Sequence, residues 1–85
     1  MPENTPEIIG SDDITVLDVT GLQCPLPVLK AQKALRALSA GAVLDVISTD
    51  PMASIDIPHF CAEKGHELLL QINEDGATRY RIKKG

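Results

Sequence analysis

Apolar and polar positions alternate along Ile14 to Val19, which puts Leu17 and Val19 on one face and predicts a first strand. Thr20-Gly21 breaks the alternation. From Pro25 the period becomes helical: Val28, Ala31, Leu35 and Leu38 form one buried stripe, and Gly41 is the expected end of the helix. Val43 to Ser48 is dense in β-branched residues and predicts a second strand. Leu44 and Val46 are assigned to its core side, and Asp45 marks the face of Val43 and Ile47 as the less buried one. Strand, helix and strand with a short return predict a parallel βαβ unit. A second helix is expected through Met52, Ile55 and Phe60 to about Glu63, closed by Gly65, with Asp50 as N-cap and Pro51 at the first helical position. Pro58 predicts a kink or restart inside it, with Asp56 able to cap the second half. Beyond it, Leu68, Leu70 and Ile72 are placed on one face of a strand, Asn73-Glu74-Asp75-Gly76 makes a turn, and Thr78 to Lys83 returns with Tyr80 and Ile82 inward. The order β-α-β-α-β-β predicts an α+β fold: a two-layer α/β sandwich, with a mixed four-stranded sheet carrying two helices on one face.

Composition fits that picture. The 85 residues suffice for one domain, and with no Trp, one Phe and one Tyr the core must come from Leu, Ile, Val and Ala. The net charge of −4 is uneven. Glu3, Glu7, Asp12 and Asp13 account for all of it, so residues 1–13 read as a flexible acidic leader. Residues 14–85 form the expected domain, where the eight basic side chains meet the remaining eight of the twelve acidic ones. A neutral domain with two aromatic residues argues against nucleic acid as a direct partner. No apolar run reaches membrane-spanning length and no signal-peptide pattern opens the chain, so a cytoplasmic monomer without a membrane partner is expected. Two cysteines without Cys-x-x-Cys spacing are expected to be free thiols.

The chemistry concentrates at Gly21-Leu22-Gln23-Cys24-Pro25-Leu26-Pro27. Pro25 pushes Cys24 toward an extended conformation, which is that of an N-cap, and itself suits the first helical position. The thiol is then expected at the positive end of a helix, where a thiolate is favoured. Pro25 and Pro27 remove two amide donors from that end, so the acidification should be moderate and the gain mainly one of rigidity. The motif holds no base. That suits a sulfur exchanging with other sulfurs better than one attacking acyl groups.

The other candidates are weaker. A free cysteine is usually a small core residue, and Cys61, inside the second helix after Phe60, is read that way. His59, Cys61 and His66 lack zinc spacing, so no metal is expected; the two histidines read as surface or partly buried residues near helix and strand ends. Asp50 is explained as a cap, Asp18 is a candidate for fixing the Thr20 to Gln23 loop, and Gly21 supplies a turn conformation. Lys30, Lys33 and Arg36 form a basic stripe beside the sulfur, a candidate docking site for an acidic partner surface. Arg79, Arg81 and Lys83 form a second basic row on the open sheet face, beside Val43, Ile47 and Leu69.

Leu17-Asp18, Gly21-Leu22, Cys24-Pro25-Leu26-Pro27, Asp50-Pro51, Asp56-Ile57-Pro58 and Phe60-Cys61 together resemble the TusA/SirA-like sulfur-carrier family, from Ile14 to the C-terminus. The resemblance implies a two-layer sandwich similar to the C-terminal domain of bacterial translation initiation factor 3. It further implies that Cys24 takes a sulfane sulfur as a persulfide from a cysteine desulfurase or rhodanese-type donor and passes it to an acceptor protein thiol. Such relays serve tRNA 2-thiolation, molybdenum-cofactor enzymes or sulfur oxidation. They need no cofactor and are sulfurtransferase-type steps, not turnover by the carrier alone. Cys24 is then the persulfide-forming residue, with Pro25, Pro27, Gly21, Asp18 and Asp50 in support. Two other functions stay open: a regulatory or RNA-binding module of the same fold, and a thiol redox sensor, which needs a resolving partner for Cys24.

Overall fold

The structure, a computed structural model, describes residues 14–85. The expected leader, residues 1–13, lies outside the described residues. Six elements follow in the predicted order: β1 (Ile14–Asp18), α1 (Leu26–Arg36), β2 (Val43–Ser48), α2 (Ala53–Lys64), β3 (Glu67–Glu74) and β4 (Ala77–Lys83). The sheet runs β1-β2-β4-β3, with β1 and β2 parallel and the β2–β4 and β3–β4 pairs antiparallel. The mixed sheet and two helices are those expected.

Alternation decides the layers. Leu44 and Val46 of β2 pair with Ile82 and Tyr80 of β4, and all four are buried with Ala31 and Leu35 of α1 and Ile57, Phe60 and Cys61 of α2. Burying an aliphatic side chain of this size contributes about 1.5–3 kcal/mol, so these contacts anchor both helices to one face. Pro27 is buried too, which pins the first turn of α1 to that layer.

The other sheet face holds a surprise. Asp45, assigned to the less buried side, is only 1% exposed. Arg79 and Arg81, opposite Ile47 and Asp45 in the β2–β4 register, reach its carboxylate from both sides. The Arg79 guanidinium donates to Oδ2 at 2.7 Å, and Arg81 donates to Oδ1 at 2.8 Å and Oδ2 at 3.0 Å. Arg79 also donates to Glu74 at 3.1 Å. The predicted basic row is thus largely satisfied from within.

Local expectations shift in four places. α1 ends at Arg36, before Gly41, because the Ala37 and Leu38 amides bond to the carbonyls of Ala34 and Leu35 and tighten the last turn. Gly41, with φ of +88°, instead turns the chain into β2. The second helix begins at Ala53 after a turn, in place of a start at Pro51, and Gly65 closes it in a left-handed conformation as expected. It runs through Pro58 without a restart: the proline's missing N–H leaves one helical bond unmade, and the buried Ile57, Phe60 and Cys61 hold the turns on either side. Finally, a bulge between Leu68 and Leu70 breaks the predicted single face. Leu68 pairs with Ile82 on the core side, whereas Leu70 and Ile72 pair with Arg81 and Arg79 on the other. The β3–β4 hairpin turns on Asp75 and Gly76, both at positive φ, as a tight two-residue connection requires.

Candidate functional site

Because β1 and β2 are parallel, the segments leading into α1 and α2 emerge from the same end of the sheet. Cys24 lies there, exposed and unpaired in any disulfide. The turn that holds it is built from sequence upward. Asp18 ends β1, and its Oδ1 accepts the Thr20 amide at 2.9 Å, a bond that holds its carboxyl below the usual carboxylate range. Gly21 follows at φ of +83°, where a side chain is resisted by the backbone itself. The Leu22 amide bonds back to the Val19 carbonyl at 3.1 Å, and the Leu26 amide to Gln23 at 2.9 Å. Asp18 and Gly21 therefore lie where the sequence placed them, in the loop before the cysteine.

Cys24 is not the N-cap. Pro25 occupies that position, with φ of −96° and ψ of 12°, and its carbonyl accepts the first helical bond from Leu29 at 3.1 Å. The turn closed by Gln23 and Leu26 delays the helix by one residue. Pro27, also without an N–H, falls within the first turn, where that loss is harmless. The sulfur thus stands just outside the helix end, and the Leu26 amide is already taken.

The second loop grips the first. Thr49 Oγ1 accepts the Gly21 amide at 2.9 Å, and Asp50 Oδ2 accepts the Cys24 amide at 2.8 Å. Asp50 Oδ1 takes the Met52 amide at 3.2 Å, and the Asp50 amide donates to buried Ser48 at 3.1 Å. Asp50 is therefore not the expected N-cap, a position that falls to Met52 because the helix starts late; instead it ties the cysteine backbone to the turn before α2. Asp56, one turn into α2, accepts a hydrogen bond from Cys24 Sγ at 3.1 Å. No sequence spacing announced that contact, which joins residues 32 apart.

That geometry reverses the expected electrostatics. The Asp56 hydrogen bond, then desolvation and the negative fields of Asp56 and Asp50, push the Cys24 thiol above its ordinary value. A moderately acidic thiol was expected from the helix end. The helix starts one residue late, and the Asp56 carboxylate meets the sulfur directly while Asp50 holds the Cys24 amide. The resting sulfur is a held thiol.

Cys24 opens on a groove between the helices of about 370 Å³, lined also by Pro25, Val28, Gln32, Asp56, His59, Phe60, Glu63 and Lys64. A second hollow of about 210 Å³ shares Gln32, Phe60 and Lys64 and adds Leu35, Arg36, His66 and Lys84. Of the predicted basic stripe, Arg36 lines this second hollow, while Lys30 and Lys33 are exposed and line neither. His59 is exposed; His66 is half-buried, tilted against Phe60 and accepting the Gly85 amide at 3.1 Å. Cys61 is buried, and burial pushes its thiol up to about 11. That makes it a poor resolving thiol. Among the described residues no three His, Cys, Asp or Glu side chains are grouped to hold a metal, and no helix is long and apolar enough to cross a membrane.

Comparison with known proteins gives this geometry a lineage. The family model for sulfurtransferase TusA matches residues 15–84. The chain is 54% identical over 68 residues to the sulfur carrier protein TusA of Pseudomonas entomophila (strain L48), covering 80% of this chain and 85% of that one. It is 51% identical over 69 residues to its counterpart in Pseudomonas putida (strain GB-1), covering 81% and 86%. The crystal structure of a SirA-like protein from Desulfitobacterium hafniense superposes with a TM-score of 0.76 at 28% identity, over 86% of this chain and 99% of that one. With a match over nearly all of the described sheet and helices, the chain belongs to the TusA family.

Proposed function

We propose that the protein is a sulfur carrier in which Cys24 accepts a sulfane sulfur as a persulfide and hands it to the thiol of an acceptor protein. The observation that carries this reading is an exposed thiol, lashed by its own amide and sulfur to Asp50 and Asp56, in a chain about half identical to proteins named as sulfur carriers. In the loading step the Cys24 sulfur attacks the terminal sulfur of a donor persulfide. A new S–S bond forms at Cys24 as the donor's own S–S bond breaks, and the donor cysteine leaves as a thiolate that takes up the proton. Sulfur and electrons balance without a metal or an outside oxidant. Unloading repeats the step, with the acceptor thiolate attacking the outer sulfur of Cys24. The exposed site suits both encounters, because each needs a protein-borne sulfur to reach the same atom.

A cysteine desulfurase or a rhodanese-type protein has the chemistry of the donor, and the acceptor belongs to a thiolation, molybdenum-cofactor or sulfur-oxidation route in the cytoplasm, where thiols stay reduced. Pro25, Pro27, Gly21, Asp18 and Asp50 hold the loop in this reading. The test is incubation with a cysteine desulfurase and cysteine, followed by intact-mass and peptide analysis. The expected product carries one added sulfur atom on Cys24, absent in Cys24→Ser and retained in Cys61→Ser. Loading of Cys24→Ser, or no loading of the wild type by either class of donor, would refute the reading.

A further inference from the structure

The groove at Cys24 carries an uneven charge. Asp56 sits on the sulfur, Asp50 on the Cys24 amide, and Glu63 lines the groove further along α2. Against these three carboxylates the groove sets one cation, Lys64, beside His59. The groove-lining residues of α1, Val28 and Gln32, are uncharged. Among the described residues, Asp50 and Asp56 make no ion pair, in contrast to Asp45. Exposed apolar side chains neighbour these groups along the chain: Leu26 beside Pro25, Met52 and Ile55 around the start of α2.

A carboxylate whose hydrogen-bond partner is a thiol is stable only while that thiol keeps its proton. Once the sulfur becomes an anion, it faces Asp56 at contact distance with like charge, and Asp50 adds to the repulsion. Among the described residues no cation pairs with Asp56 at the sulfur, and the groove's Lys64 lies two turns further along α2. We propose that Asp56 is a specificity-determining residue, which makes Cys24 react preferentially with sulfur partners that bring an arginine or lysine beside their own reacting sulfur. This rests on the carrier reading and names the chemistry of its partner. The incoming cation pairs with Asp56, and the carboxylate gives up its hydrogen bond to the thiol. Cys24 then attacks as the thiolate, its proton going finally to the departing thiolate of the partner, with no net oxidation.

The charge preference is measurable without any protein partner. Three small disulfides serve as probes: cystamine, which is cationic, bis(2-hydroxyethyl) disulfide, which is neutral, and 3,3′-dithiodipropionate, which is anionic. In each case the Cys24 sulfur forms a mixed disulfide and one probe thiolate leaves. Rates are read by intact mass at low salt and divided by those of N-acetylcysteine amide with the same probe, which removes the intrinsic reactivity of each reagent. The expected ratio of cystamine to dithiodipropionate is about tenfold for the wild type, from charges a few ångströms apart near a protein surface, and added salt reduces it. Asp56→Asn should compress that ratio about fivefold, and Asp50→Asn should compress it less, both with unchanged far-UV spectra. A wild type that reacts with the cationic and anionic probes at equal normalised rates overturns the proposal, as does an unchanged ratio in Asp56→Asn. None of the three probes donates a sulfane sulfur, so this outcome is independent of whether Cys24 loads from a desulfurase.

Discussion

Asp45 and Asp56 are the same residue put to opposite uses. Asp45, on the open sheet face, is 1% exposed and receives three hydrogen bonds from two guanidinium groups. Arg81 foremost, then Arg79, hold its carboxyl below the usual range against the pull of burial. Asp56, at the start of α2, has a thiol as its partner and raises that thiol instead. In the first case the charges are complementary and the arrangement is closed. In the second the negative charge remains available at the surface, next to the reactive atom. A stabilising ion pair and an active thiol need different surroundings, and this small protein places them on opposite sides of its sheet.

The sharpest way to break that comparison is to remove each carboxylate. Asp45→Ala leaves two guanidinium groups facing each other over the sheet and should lower unfolding free energy by about 3 kcal/mol, the low end for a broken buried pair. Asp56→Ala should change it by only about 0.5 kcal/mol, since Asp56 is half-buried and the side-chain bond it loses is to an exposed thiol. Urea denaturation of the two variants reads the difference; equal losses would show that Asp56 also carries the fold.

Acid should separate the wild type from Asp45→Asn. A depressed carboxyl contributes stability that is present above its unfolded value of about 3.9 and fades as pH falls through the lower folded value. The wild type should therefore lose more stability than Asp45→Asn between pH 5 and the acid limit, in chemical denaturation repeated across that range. Parallel curves would mean that the arginine clamp adds little. In alkali the buried Cys61 acts with the opposite sign. Its thiol stays protonated in the fold up to about 11, whereas an unfolded cysteine ionises near 9, so stability falls over that window and the fall should shrink in Cys61→Ala.

Gly21→Ala tests the loop. Nothing lies within 4 Å of the added methyl group, so the change acts through the φ of +83° alone and should cost about 1 kcal/mol. If the loop positions the sulfur, loading of Cys24 should slow more than this loss of stability explains. Loading at the wild-type rate would leave the loop a purely structural part.

Much of this was legible in the sequence because the fold is carried by period. Leu44, Val46, Tyr80 and Ile82 alternate as buried strands must, and Ala31 and Leu35 fall on one helical stripe. That Cys24 stands at the entrance to the first helix was legible too, since prolines punctuate a chain visibly, but the cap fell to Pro25 one residue later. The identity of its neighbours was not. Asp50 reaches Cys24 across 26 residues and Asp56 across 32, and neither side chain belongs to a local motif that points at a sulfur. The same blindness hid the arginine clamp: Asp45 looked like the mark of the less buried face because Arg79 and Arg81 meet it only once β4 is paired. The bulge at Leu69 escaped for another reason, since one extra residue in a strand leaves a run of leucines looking regular.

The claim on which the site account rests is that Asp56 keeps the resting Cys24 thiol protonated. Alkylation by iodoacetamide, followed over pH on the Cys24 peptide, measures it directly. The account predicts a midpoint above the ordinary cysteine value of about 9, moving down toward it in Asp56→Asn. A wild-type midpoint at or below that value, unmoved by Asp56→Asn, would contradict it.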